Sequence, residues 1–319
     1  MGRPKKILIT GATGGIGIEL MRQLKESNQL DGISVLARDS KKNRKLLASY
    51  ADSISIFWGD LMHQESLIPA CEGQEVVIHL AGLIPPAFHE DDARSLKINV
   101  EGTKNIISTL EAHAPNAFLV FSSSVVVYGD RLKTPEINVG DPLDPEQYDQ
   151  YGVAKILTET DIQRSALNWT ILRLSAIMGI GNHSVSGIMF HVPLDTPMEI
   201  CTVRDTARAF KHAPDHLDKL NKRIFNLGGG ATCRISYFDF LSRAFQSFGM
   251  EKVNFPKHSF ATANFHCGYY MDGDDLEEIL HFQSDSIDSY FERFHASDPS
   301  IQRLITRPFP GIAKWYLRT

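Results

Sequence analysis

The chain has no Cys-x-x-Cys pair, no metal-ligand spacing among its twelve histidines and no apolar run of membrane-spanning length. Its four cysteines, Cys71, Cys201, Cys233 and Cys267, stand far apart and read as reduced packing thiols of a cytoplasmic protein. No structural metal is expected. The basic start Met1-Gly2-Arg3-Pro4-Lys5-Lys6 leads into only Ile7-Leu8-Ile9 before a glycine loop, too short for the core of a signal peptide. Positive charge is also short: 33 Lys and Arg against 38 Asp and Glu give a net charge of −5. Neither nucleic acid nor a membrane is therefore an expected partner. Internal repeats and low-complexity segments are missing too, and 43% hydrophobic with 22% charged residues describes an ordinary globular protein.

What is present begins with a short β-branched run, 6–10, that meets Gly11-Ala12-Thr13-Gly14-Gly15-Ile16-Gly17 and then an amphipathic helix through about residue 25. Strand, glycine turn and helix form a phosphate-binding arrangement, because glycines allow close backbone approach and a helix start presents free N–H groups to an anion. The Gly-x-x-Gly-x-x-Gly spacing is looser than the usual dinucleotide fingerprint, and a flexible turn is the alternative. Strands follow at 33–37, 54–58, 76–79, 118–121 and 170–174, with helices fitting between them. Short buried strands alternating with helices predict a doubly wound, Rossmann-type parallel sheet, which binds ligands at the strands' carboxyl ends. At the end of the second strand, where an acid would accept a ribose 2′-hydroxyl, stand Ala37 and Arg38, with Lys41, Lys42 and Arg44 close behind and Asp39 as the competing acid. A cation there suits a 2′-phosphate, so NADP(H) is favoured over NAD(H); the alternative is a solvated helix start.

Tyr151 and Lys155 lie four apart in a helical stretch, one turn apart on one face. A phenol of ordinary pKa near 10 is a poor acid–base group at neutrality, and a fixed positive charge beside it favours the phenolate. Serines 122–124 end the fifth strand and face the same crevice as the glycine loop, although capping of a strand end would also explain them.

Taken in order, Gly11/Gly14/Gly17, Asp60-Leu61, His79-Leu80-Ala81-Gly82, Asn99-x-x-Gly102, the run 122–129 and Tyr151-x-x-x-Lys155 resemble the extended short-chain dehydrogenase/reductase family, also called the NAD-dependent epimerase/dehydratase family. The resemblance covers 6–175 and thins beyond. It implies that Tyr151 exchanges a proton with a substrate hydroxyl or carbonyl, that Lys155 lowers the tyrosine's pKa and holds the nicotinamide ribose, and that Ser124 binds the substrate oxygen. It also implies a cofactor site of Gly11, Thr13, Gly14, Gly15, Ile16, Gly17, Arg38, Asp60, Leu61, Leu80, Ala81, Gly82, Asn99 and Lys155. A homodimer through the helices of 92–113 and Tyr151 follows from the same resemblance.

Within that family, dehydratases carry an Asp-Glu pair after the catalytic hydroxyl residue. Here Val125 and Val126 stand there, so dehydration is not expected. The triple serine and Tyr128-Gly129 resemble sugar-nucleotide 4-epimerases, whereas Ala176 and the short connection from Arg173 to Asp205 depart from them. Three readings result: an epimerase of nucleotide-activated sugars, an NADPH-dependent reductase of a small ketone or aldehyde, and a non-catalytic NADP(H) sensor. The last has no need of an intact Ser124, Tyr151 and Lys155. Residues 1–175 are expected to form the dinucleotide domain, with returns to the sheet near 200–210 and 224–230. The rest of 176–319 is expected to form a smaller substrate lobe, containing a helix over 236–249 and ending in Arg307-Pro308-Phe309-Pro310-Gly311. For Phe255, Phe260, Phe265, Tyr269 and Tyr270, core packing is favoured over lining a substrate pocket.

Overall fold

The computed structural model describes residues 5–144, 149–180, 187–247, 255–256, 258–263 and 265–297. The basic start through Pro4, the end of the predicted loop at Pro145, the predicted helix end at Gly249 and the segment Arg307 to Gly311 lie outside the described residues.

Strands in chain order are β1 (Ile7–Thr10), β2 (Ile33–Ala37), β3 (Ser55–Trp58), β4 (Val76–His79), β5 (Phe118–Ser124), β6 (Glu136–Ile137), β7 (Asn168–Leu174), β8 (Ala176–Met178), β9 (Pro197–Thr202), β10 (Arg223–Leu227), β11 (Arg234–Ser236) and β12 (Tyr269–Tyr270). The α-helices are α1 (Gly15–Glu26), α2 (Lys41–Leu47), α3 (Ile68–Cys71), α4 (Asp92–His113), α5 (Gln150–Arg164), α6 (Val203–His212), α7 (Leu217–Leu220), α8 (Tyr237–Ser247), α9 (Asp274–Leu280) and α10 (Ile287–Ser297).

Seven strands make one parallel sheet in the order β10-β7-β5-β4-β1-β2-β3. Alternation along each strand sends side chains to opposite faces. Ile9, Val76, Ile78 and Val120 pack with α1, α6 and α9 through Leu20, Phe210 and Leu276. Leu8, Val77, Leu119 and Phe121 pack with α3, α4 and α5 through Cys71, Leu110 and Ile162. Both faces are covered, which is the doubly wound fold, and strand order reverses between β4-β1 and β1-β2, beside the glycine loop.

Two local readings change. The fifth strand runs three residues beyond Phe121, because Ser122, Ser123 and Ser124 stay in register with Leu172, Arg173 and Leu174 of β7. The segment at 200–203 does not rejoin the main sheet as a strand. Instead β9 pairs with β8 and β11 in a separate three-stranded sheet, and only the helix that follows, α6, comes back to pack beside α1. β10, at 223–227, does return and closes the sheet's edge. A third sheet pairs β6 with β12, joining the loop after β5 to a segment more than a hundred residues later. Beyond the sheet, Phe255 and Phe260 pack edge-on and tilted against Phe190 in an apolar cluster with α8 and α10, the core role expected for them.

Candidate active site

The glycine loop is built for close approach. Gly11 has φ +76°, and a Cβ there would lie 2.7 Å from the Ala81 nitrogen; at Gly17 a Cβ would lie 2.2 Å from the Gly11 carbonyl oxygen. Gly11 thus lets the loop touch the chain after β4, and Gly17 lets α1 seat on the turn. Gly14 is the N-cap of α1 without a side-chain cap, and no acidic residue stands in the first turn. The first N–H groups of a twelve-residue helix are left for an anion, so this cradle fits the pyrophosphate of a dinucleotide.

Next to the cradle, His79 is fully buried. Its Nδ1 lies 2.6 Å from Thr10 Oγ1 and its Nε2 3.0 Å from Thr103 Oγ1, tying β4 to β1 and α4. Burial, aided by the Lys155 charge, pushes the imidazole down to about 3, so it serves as a neutral bridge. In the sequence His79 marks the end of the fourth strand and carries no sign of this bridge. Asn99 is engaged with the backbone: its Oδ1 accepts from Leu83 N at 2.8 Å and its Nδ2 donates to Leu83 O at 2.9 Å, strapping down the loop that carries Leu80, Ala81 and Gly82. Asp60 accepts from Met62 N at 3.0 Å, and Leu61 fills the notch over Gly102, where a Cβ would meet it at 2.9 Å.

At the end of β2, Arg38 is exposed, while Asp39 is held by Arg44 through two bonds of 2.6 and 2.7 Å. Arg44 in turn lies 4.7 Å over the Trp58 ring, and Lys41 and Lys42 are exposed at the start of α2.

β5 and α5 bring the three expected catalytic residues together. Asp149 caps α5 by accepting from Gly152 N at 2.9 Å, fixing the first turn that carries Tyr151. Tyr151 is 8% exposed, packed edge-on against the Phe88 ring at 5.4 Å and near enough to Ser124 for that hydroxyl to act on the phenol. Lys155 is equally buried; its Nζ donates to Ser122 O at 2.7 Å and sits 4.8 Å over the Phe121 ring and 5.7 Å over the Tyr151 ring. Burial pushes the Tyr151 phenol well up, the Ser124 hydroxyl works against that rise, and the Asp149 charge adds to it. The Lys155 ammonium is turned to the Ser122 carbonyl, so in this state burial and Ser124 govern the phenol. Burial also pushes Lys155 itself down to about 8, opposed by Glu159.

A buried chain that the motif reading did not assemble lies behind the trio. Ser123 donates to Glu159, which pairs with Arg173 at 3.0 and 2.7 Å; Arg173 Nη1 donates to Tyr128 Oη at 2.8 Å and to Val139 O at 3.2 Å. Tyr128 donates to Asn226 Oδ1 at 2.7 Å, and Asn226 Nδ2 donates to Asp272 Oδ1 at 2.8 Å. Burial pushes the Tyr128 phenol up to about 12, which keeps its proton for that bond. One signal was available: Glu159 continues the four-residue ladder of Tyr151 and Lys155.

The model of the NAD dependent epimerase/dehydratase family matches residues 7–195, more than half of the chain. The chain belongs to this family. A UDP-glucose 4-epimerase of Neisseria meningitidis serogroup B is 33% identical over 210 residues, 60% of this chain and 58% of that protein. The chain therefore spans less than two thirds of that relative's length. A UDP-glucose 4-epimerase structure from Thermotoga maritima, with UDP-glucose, covers 91% of this chain and 97% of its own at TM-score 0.73 and 19% identity. A short-chain dehydrogenase/reductase superfamily protein of Agrobacterium tumefaciens with bound NAD covers 95% of this chain and 99% of its own at TM-score 0.67 and 19% identity. At that identity the structures speak for the epimerase/dehydratase fold. Among the described residues no group of side chains could hold a metal ion, and no helix is long and apolar enough to cross a membrane.

Proposed function

We propose that this epimerase/dehydratase-family chain transfers hydride at a secondary alcohol or ketone carbon of a nucleotide-activated sugar, with Ser124, Tyr151 and Lys155 as its active site. The observation that carries the reading is the meeting of the buried Tyr151 and Lys155 side chains with the half-buried Ser124, at the strand ends that also hold the glycine cradle. A bound nicotinamide dinucleotide supplies the hydride acceptor and donor. Tyr151 takes the proton of the substrate hydroxyl and returns it, Ser124 orients the substrate oxygen, and Lys155 donates to the ribose. Val125 and Val126, both buried, offer no acid for an elimination.

The test uses UDP-galactose and UDP-glucose as substrates and identifies any nucleotide released when the purified protein is denatured. Interconversion without net change in NADH absorbance, together with near-stoichiometric released NAD(H), supports the epimerase reading; absence of both overturns it.

The second reading, an NADPH-dependent carbonyl reductase, is favoured by the exposed Arg38 beside an Asp39 already held by Arg44. On this reading NADP(H) is preferred because Arg38 meets the 2′-phosphate and the nearby carboxylate is engaged. Arg38→Ala then weakens NADPH binding by roughly 10- to 100-fold, the loss of one charge-assisted hydrogen bond, and leaves NADH binding in place. Equal NADPH affinity in the variant counts against the assignment. A homodimer through α4 and α5 and a cytoplasmic location belong to the same proposal; Leu157, exposed on α5, is an apolar contact available to that interface.

A further inference from the structure

Tyr151, Lys155 and Glu159 stand four residues apart on α5, so their side chains share one face at successive turns. Glu159 is 1% exposed. Its carboxylate is held from two strands, by Ser123 Oγ on β5 and by Arg173 on β7, which donates Nε to Oε1 at 3.0 Å and Nη2 to Oε2 at 2.7 Å. Proton and hydride transfer at Tyr151 make no direct use of this group. Nor does net stability account for it, because a buried ion pair is worth little more than apolar residues of equal volume. Its place one turn beyond a buried ammonium gives it a use.

We propose that Glu159, clamped by Ser123 and Arg173, is a positioning residue that keeps the Lys155 ammonium charged for the dinucleotide. The inference rests on the reading of Lys155 as the residue that holds the nicotinamide ribose. From β5 the Lys155 ammonium meets the Ser122 carbonyl and the Phe121 ring, and from α5 the Tyr151 ring and Glu159. From β4 comes His79, which is neutral, while the Arg173 guanidinium of β7 is bound to the Glu159 carboxylate. Tyr128, on the turn after β5, is engaged with Arg173 and Asn226, and Asp149 at the start of α5 acts on Tyr151. On α4, Lys104 pairs with Asp161 at 3.6 Å on a more exposed edge of α5. Glu159 is thus the carboxylate that sustains Lys155 against burial, which pushes the amine down to about 8.

Dinucleotide binding across pH tests this without any substrate. NADH and NADPH are titrated into the intact chain between about pH 6 and pH 10, and binding is followed by nucleotide fluorescence. In the parent, affinity falls as pH rises through about 8, because the charged amine is the form that donates to the ribose. In Glu159→Gln the fall moves about one unit or more to lower pH, since an opposite charge has been removed from beside the amine. The acid-side affinity persists. A residue that acted through packing alone would weaken binding by one factor at every pH. Because the glutamine variant leaves Arg173 without a charged partner, the double variant Glu159→Met/Arg173→Met is measured beside it; it removes both charges together and is expected to shift in the same direction. Midpoints equal to the parent's in the variants overturn the proposal while leaving the cofactor reading intact. Failure of the parent to bind either dinucleotide overturns the cofactor reading, and this inference with it.

Discussion

Tyr151→Phe lowers turnover by about 10²- to 10⁴-fold, the usual worth of a positioned acid–base group, and leaves dinucleotide binding in place. The substitution removes one oxygen and keeps the ring, so the edge-on packing against Phe88 and the contact with Lys155 persist. The glycine cradle and the His79 bridge do not involve the phenol at all. What is lost is the hydroxyl on which Ser124 acts and that would exchange the substrate proton. Burial by itself holds this phenol in its neutral form, so a catalytic role requires bound charge or substrate to bring it down, and the loss appears in turnover and not in cofactor affinity. Steady-state rates on the accepted substrate, set beside fluorescence titration of NADH and NADPH, measure the two quantities separately. A variant that turns over at the parent rate removes Tyr151 from the chemistry.

Arg173→Met destabilises the protein by about 3–5 kcal/mol, because it takes the guanidinium that binds both oxygens away from the buried Glu159 carboxylate and leaves it the Ser123 hydrogen bond and the Lys155 charge one turn away. Burial opposes the charge on Arg173, and the Glu159 carboxylate outweighs that opposition, so the two ions depend on each other. The same substitution withdraws the donor that Tyr128 and Val139 share, loosening the link to Asn226 and Asp272. Chemical unfolding of the single variant against Glu159→Met/Arg173→Met separates these contributions. The double variant recovers most of the loss if the uncompensated charge dominates. If single and double variants are equally unstable, the hydrogen bonds to Tyr128 and Val139 are the larger part, and the ion-pair account of the loss fails.

Most of the sheet follows from local sequence. Short β-branched runs at 33–37 and 76–79, each bounded by polar or glycine-containing turns, coincide with β2 and β4, because burial on both faces demands continuous apolar strands. The glycine loop was legible for a similar reason: positive φ and close backbone approach at Gly11 are properties of a few neighbouring residues. The spacing of Tyr151 and Lys155 places them on one face because helix geometry is local.

Other features depend on contacts that no local pattern carries. Tyr128 meets Asn226 across 98 positions of sequence, and Thr10 meets His79 across 69, so neither bridge could be read from spacing. The run at 200–203 has the composition of a parallel-sheet strand, yet its first three residues are the end of β9, which lies between β8 and β11 in a separate sheet, because partner choice for a strand is set by context beyond the strand itself. Protonation of Tyr151 and Lys155 was the least accessible from sequence. The two residue types were evident, but the strength of desolvation depends on Phe88, Phe121 and Ser122 closing over them from β5 and the loop after β4. Sequence by itself determined the sheet, the cradle and the identity of the Ser, Tyr and Lys side chains, since strand burial, glycine turns and helix spacing are short-range. Tertiary structure alone decided what charge those side chains carry and what clamps them, since burial and ion pairing sum over segments distant in the chain.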